Sequence, residues 1–93
     1  MKITVASIGI LQEFLNSRGI EVEIKEPAKI GDLIDLLAGR WGDEFYRKII
    51  QEGELNPYVI ILLNGLAIKM KQGLDTELND GDRVVFTTMF TGG

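Results

Sequence analysis

The chain has 93 residues, 45% of them hydrophobic, and a net charge of −4 from 10 basic and 14 acidic side chains. That length supports one modest core, the hydrophobic content excludes intrinsic disorder, and the scattered basic residues argue against direct nucleic-acid binding. With no cysteine and no histidine, the chain has no disulfide or thiol chemistry and lacks the commonest general base and metal ligand.

Residues 1–7 alternate, Ile3 and Val5 on one face and Lys2 and Thr4 on the other, which predicts a half-buried strand. They carry no signal-peptide pattern, and the longest apolar run, residues 59–63, is far too short to span a bilayer, so a cytoplasmic protein without membrane contact is expected. Leu11, Phe14 and Leu15 share a helical stripe, but the piece is short, so residues 8–16 read as a long connection with about one helical turn. After an Arg18-Gly19 turn, Ile20, Val22 and Ile24 alternate with Glu21, Glu23 and Lys25, a second strand with one wet face. Pro27 ends it. Ile30, Leu33, Ile34, Leu37 and Trp41 then follow the spacing of an amphipathic helix, with Asp32 in its first turn and Gly42 as its stop. Asp43 is placed to cap a second short helix carrying Phe45, Tyr46, Ile49 and Ile50, which Gly53 closes.

The run YVIILLNG is continuous in β-branched and leucine side chains, which predicts a central strand buried on both faces. Asn64-Gly65 is a type I′ hairpin signal leading to a short strand at 66–68. Residues 73–81 are turn-rich, with room for one helical turn in LDTEL, and residues 83–88 form the last strand. Strands on both sides of one long helix describe an α+β fold. A mixed five-stranded sheet, its first and last strands a parallel central pair and the main helix across one face, is the ubiquitin-like β-grasp. Residues 1–93 read as one such domain, and Ile3, Val5, Leu33, Leu37, Ile60, Leu62 and Val84 are its expected core.

Catalytic equipment is sparse. Asp80 and Asp82 flank Gly81, but the spacing of a calcium loop is absent and Asn, Asp and Gly are the residues of a tight turn. GLAIKMKQG lacks the spacing of a phosphate-cradling loop, and Ser7 and Ser17 have no histidine to activate them. Trp41 and Tyr46 read as core or rim residues. No metal or cofactor site is expected, and an enzyme acting alone is disfavoured.

The chemistry concentrates at the other end, in FTTMFTGG. Gly92 and Gly93 have no Cβ and can thread a narrow channel in extended form. A terminal carboxylate, with a pKa of about 3.5, is ionised at neutral pH and is a poor electrophile. Joined to AMP it becomes an acyl phosphate anhydride that a thiol, persulfide or amine can attack. A chain without cysteine or histidine would meet this chemistry as the substrate of an ATP-using activating enzyme. Met89 and Phe90 then act as anchors on that partner, or fold back on the domain. Thr91, Gly92 and Gly93 offer little apolar area, so a flexible tail at about 89–93 is expected.

The segments GDLIDLL, LNPYVIILLNG and DGDRVVFTTMFTGG, set in a β-grasp pattern along the whole chain, resemble the ubiquitin-like sulfur carriers. That superfamily includes the molybdopterin synthase small subunit and the thiamine-pathway carrier. The look is closest to the ubiquitin-related modifier, because Thr87, Thr88, Met89, Phe90 and Thr91 stand where molybdopterin-type tails carry a Pro-Pro pair and a small residue before Gly-Gly. The resemblance implies that Gly93 is adenylated by an E1-like enzyme and converted to a thiocarboxylate that donates sulfur. Met89, Phe90, Thr91 and Gly92 would bind the partner. It further implies a sulfur acceptor such as a tRNA thiolase or the molybdopterin synthase large subunit, conjugation to lysines in some members, and a free monomer between encounters. The competing reading is a non-covalent β-grasp adaptor whose glycines are incidental.

Overall fold

In chain order the elements are β1 (Lys2–Ser7), β2 (Ile20–Glu23), α1 (Ile30–Trp41), α2 (Asp43–Ile49), β3 (Ile50–Gln51), β4 (Glu54–Leu55), β5 (Val59–Leu63), β6 (Leu66–Ala67) and β7 (Arg83–Thr88). They are seen in a computed structural model that describes residues 1–88. Five strands form one mixed sheet in the order β2-β1-β7-β5-β6. β1 and β7 lie parallel at its centre, Val5 opposite Val84, and the other neighbours pair antiparallel. This is the β-grasp arrangement that the order of segments predicts.

One face of the sheet meets α1. Ile30, Leu33, Ile34 and Leu37 are buried along a single stripe and join Ile3, Val5, Val84 and Phe86 in one core cluster. The Asp32 carboxylate accepts the Lys29 backbone N–H at 2.8 Å, satisfying a donor that the first helical turn leaves without a partner. Gly42, at φ 85°, stops the helix. Gly19 is a second position that only glycine suits. Its φ is 91°, and a Cβ there would lie 2.9 Å from the Val5 carbonyl oxygen.

Three expectations are corrected. Asp43 does not cap α2: Gly42 holds that position, and Asp43 is the first helical residue, facing Arg47 one turn on. Ile50 is not helical. It opens the small β3-β4 hairpin, opposite Leu55, turning through Glu52 and Gly53 at φ 53° and 79°. The third correction concerns β5, which is buried on one face only. Val59, Ile61 and Leu63 point to the core, whereas Ile60 and Leu62 are half-exposed on the face opposite α1. Among the described residues no layer covers that second face, so a continuous apolar run still yields one-sided burial. Ile60 and Leu62 therefore leave the expected core, and Ile61 and Phe86 take their place.

Candidate functional site

β7 carries the chain toward its last residues and is held along its whole length. Val84 and Phe86 are fully buried, and the Phe86 ring meets Phe45 edge-on at 6.1 Å. β1 pairs along one side of the strand, and Ile8 extends that ladder by donating to the Phe86 carbonyl at 2.9 Å. β5 pairs along the other side as far as Val59 opposite Thr88. The strand is thus a rigid stalk anchored by core burial and by two hydrogen-bonded neighbours.

The base of the stalk is fixed by the Asp-Gly-Asp turn. One Asp82 carboxylate oxygen accepts the Asn79 N–H at 2.7 Å and the other accepts the Asn64 side-chain amide at 2.9 Å. Asn64 also accepts the Arg83 N–H at 2.9 Å, and Asp80 accepts the Lys2 N–H at 2.7 Å. Both carboxylates are engaged by donors from the protein, as a structural turn requires and a cation site does not. The Arg83 guanidinium donates to the Ser17 carbonyl at 3.1 Å, tying the same end of β7 to the loop before β2. The Ser7 hydroxyl is buried and donates to the Leu15 carbonyl at 3.2 Å, so it too is structural. Among the described residues no group of three or more acidic side chains is placed to hold a metal ion.

Met89, Phe90, Thr91, Gly92 and Gly93, the residues to which the sequence assigns partner binding and reaction, lie outside the described residues. Two surfaces meet at the end of the stalk. On the open face of the sheet, Ile60 and Leu62 sit opposite Thr87 and Val85, with Ala67 beside Leu62, forming a half-exposed apolar strip. On the other side a groove of about 550 Å³ runs beside Thr88, lined by Gly9, Leu11, Arg47, Asn56 and Tyr58 among others. Lys48 on its rim pairs with Glu13 at 2.9 Å, linking α2 to the loop after β1. Asn56 shapes the opposite wall by accepting the Tyr58 N–H and donating to the Lys48 carbonyl.

Leu11 lines this groove at φ 57°, a conformation uncommon for a bulky side chain. The arrangement buries its side chain and lets its carbonyl accept the N–H groups of Phe14 and Leu15 at 2.9 and 2.8 Å. Sequence reasoning missed the groove because its walls come from three separated segments. The only local signal was the irregular pattern of residues 8–16. Trp41, expected in the core or at its rim, is half-buried and stacks on Phe14 at 5.5 Å, which pins that same loop to α1.

Comparison with known proteins adds an independent line. The family model described as ThiS matches residues 8–93. An Archaeoglobus fulgidus protein provisionally named a sulfur carrier protein is 30% identical over 79 residues, 85% of this chain and 89% of its own length. Small archaeal modifier protein 3 of Haloferax volcanii is 27% identical over 93 residues, the whole of both chains. Among solved structures, a chain of the Amycolatopsis orientalis BexX/CysO complex superposes with a TM-score of 0.77 at 25% identity, covering 98% of this chain and 99% of that one.

Proposed function

Because this chain belongs to the ThiS family of ubiquitin-like sulfur carriers and modifiers, we propose that Gly93 is its reactive residue. An E1-like enzyme adenylates the Gly93 carboxylate with ATP, releasing pyrophosphate. A sulfide-level sulfur nucleophile then attacks the acyl carbon and displaces AMP, leaving a thiocarboxylate. The thiocarboxylate serves as sulfur donor in tRNA thiolation or molybdopterin synthesis, and in a second use the activated carboxyl is joined to protein lysines. The observation that carries this reading is the extent of the family match, which runs through Gly92 and Gly93. The stalk supports it: the strand that leads to those residues is paired on both sides, by β1 and by β5 as far as Thr88.

Each step follows from what the chain possesses. Lacking cysteine and histidine, it offers no group to activate its own carboxylate, so the activating enzyme and its ATP supply that step and the chain is substrate rather than catalyst. Met89 and Phe90 anchor the tail on the partner, Thr91 and Gly92 thread its channel, and the apolar strip at Ile60, Leu62 and Val85 provides the adjoining docking face. The BexX/CysO complex, one chain of which is structurally similar to this one, is a precedent for complex formation with a second protein. The setting proposed is the cytoplasm, with the chain monomeric between encounters.

The test is chemical. Incubation with the cognate activating enzyme, ATP and a sulfur donor should change the intact mass by one sulfur-for-oxygen exchange, and fragmentation should place it on Gly93. Sulfur on another residue, or no exchange with an enzyme active on other carriers, would leave the adaptor reading in its place.

A further inference from the structure

The lining of the groove beside Thr88 carries two cations and one carboxylate, Glu13, on a protein whose net charge is −4. Its rim carries Arg47 and Lys48, and the two are not equivalent. Lys48 is committed to Glu13 at 2.9 Å. The carboxylate nearest Arg47 is Asp43, 3.9 Å away, and both side chains are largely exposed, which makes a weak pair. The guanidinium therefore retains capacity for a second carboxylate, and its planar fork suits one. Behind the rim the groove floor includes Ile10, Leu11 and Val59, which are apolar.

We propose that this groove is a seat for the chain's own residues 89–93, with the terminal carboxylate at Arg47 and Met89 and Phe90 toward the apolar floor. Three observations select this occupant. Thr88 is itself part of the groove wall, so the segment is tethered at the site. A hollow of about 550 Å³ is on the order of 10 Å across, and five extended residues reach about 17 Å, so the terminus can arrive at Arg47 from Thr88. The segment also has the matching chemistry, two large apolar side chains followed by an anion. Leu11, held in the left-handed region where it forms part of the floor, is the kind of strained position that a functional surface retains.

One ion pair and a few apolar contacts at an open surface make a shallow seat, so the segment exchanges between seated and released forms. The seat would regulate the site under "Proposed function": a carboxylate or thiocarboxylate at Arg47 is sheltered, and an activating enzyme must first draw it out. That meaning rests on the reading of Gly93 as the reactive residue, whereas the seat can be tested without any enzyme.

Amide NMR of the full chain provides the test. Deleting residues 89–93 should shift the amides of Arg47, Lys48 and Gln51, which are distant in sequence from the cut. Arg47→Glu, a change at an exposed side chain that the fold should tolerate, should shift the Gly92 and Gly93 amides in the full chain. It should also cut the deletion-induced shifts of Lys48 and Gln51 at least twofold. Shifts confined to Thr87, Thr88 and their strand partners would overturn the proposal. So would shifts that scale with protein concentration, since these would mean that the tail of a second copy fills the groove.

Discussion

Asn64 closes two turns at once. Its side-chain amide donates to Asp82 across 18 residues, its carbonyl oxygen accepts the Arg83 N–H, and its own backbone sits at φ 50° in the β5-β6 hairpin. Asn64→Ala removes both side-chain bonds, leaves a mostly buried carboxylate one donor short and replaces a residue that tolerates the left-handed region with one that tolerates it less. We predict a loss of about 1–3 kcal/mol in urea unfolding. Asn64→Gly loses the same bonds without the backbone cost and so loses less; a loss near zero for Asn64→Gly would show that the side-chain bonds contribute little. Each turn was legible in sequence, Asn64-Gly65 by its dipeptide and Asp80-Gly81-Asp82 by its composition. Their coupling was not, because no local pattern reports a bond between segments that only the sheet brings together.

At the scale of elements, α1 was readable because its stripe repeats at the helical period over three turns. β5 was misread on its faces. A strand with apolar residues at every position carries no alternation, so periodicity cannot say how many layers cover it. Only the assembled sheet, with α1 on one side and, among the described residues, no layer on the other, separates Ile61 from Ile60. The difference is measurable. Ile61→Ala should cost about 2–5 kcal/mol, because a buried branched side chain leaves a cavity. Ile60→Ala should cost about 1 kcal/mol or less, since the half-exposed site leaves no enclosed void. Equal costs in urea melts would mean that β5 is covered on both faces after all. Leu37→Ala, at a fully buried position on α1, belongs with Ile61→Ala at about 2–5 kcal/mol. The β3-β4 hairpin was hidden for another reason: two-residue strands are too short to show a period, and Ile50 matched the stripe of the helix before it.

For the whole molecule, the order of segments was enough to infer a parallel central pair and hence the β-grasp. The candidate site divided into two parts of different legibility. The proposed reactive residues were read from residue chemistry, because a glycine pair such as Gly92-Gly93 is a local signal. The groove and the apolar strip on the open sheet face were invisible until the fold brought their walls together. If Met89 and Phe90 anchor the tail on the activating enzyme, Phe90→Ala should weaken that complex by about 2 kcal/mol, read by titration calorimetry. The melting temperature should barely move. Lost stability with intact binding would instead assign Phe90 to the folded body.

The central claim is that the carboxylate of Gly93 is the reacting group, and moving that carboxylate by one residue tests it most directly. Thiolation by the cognate activating enzyme should be compared, by intact mass over time, between the native chain and one extended by a single alanine beyond Gly93. The account predicts that the extended chain folds as the native one does, by circular dichroism, and forms no thiocarboxylate. A chain thiolated as fast with the extra residue as without it would contradict the account, because the chemistry would not depend on the glycine pair at the terminus.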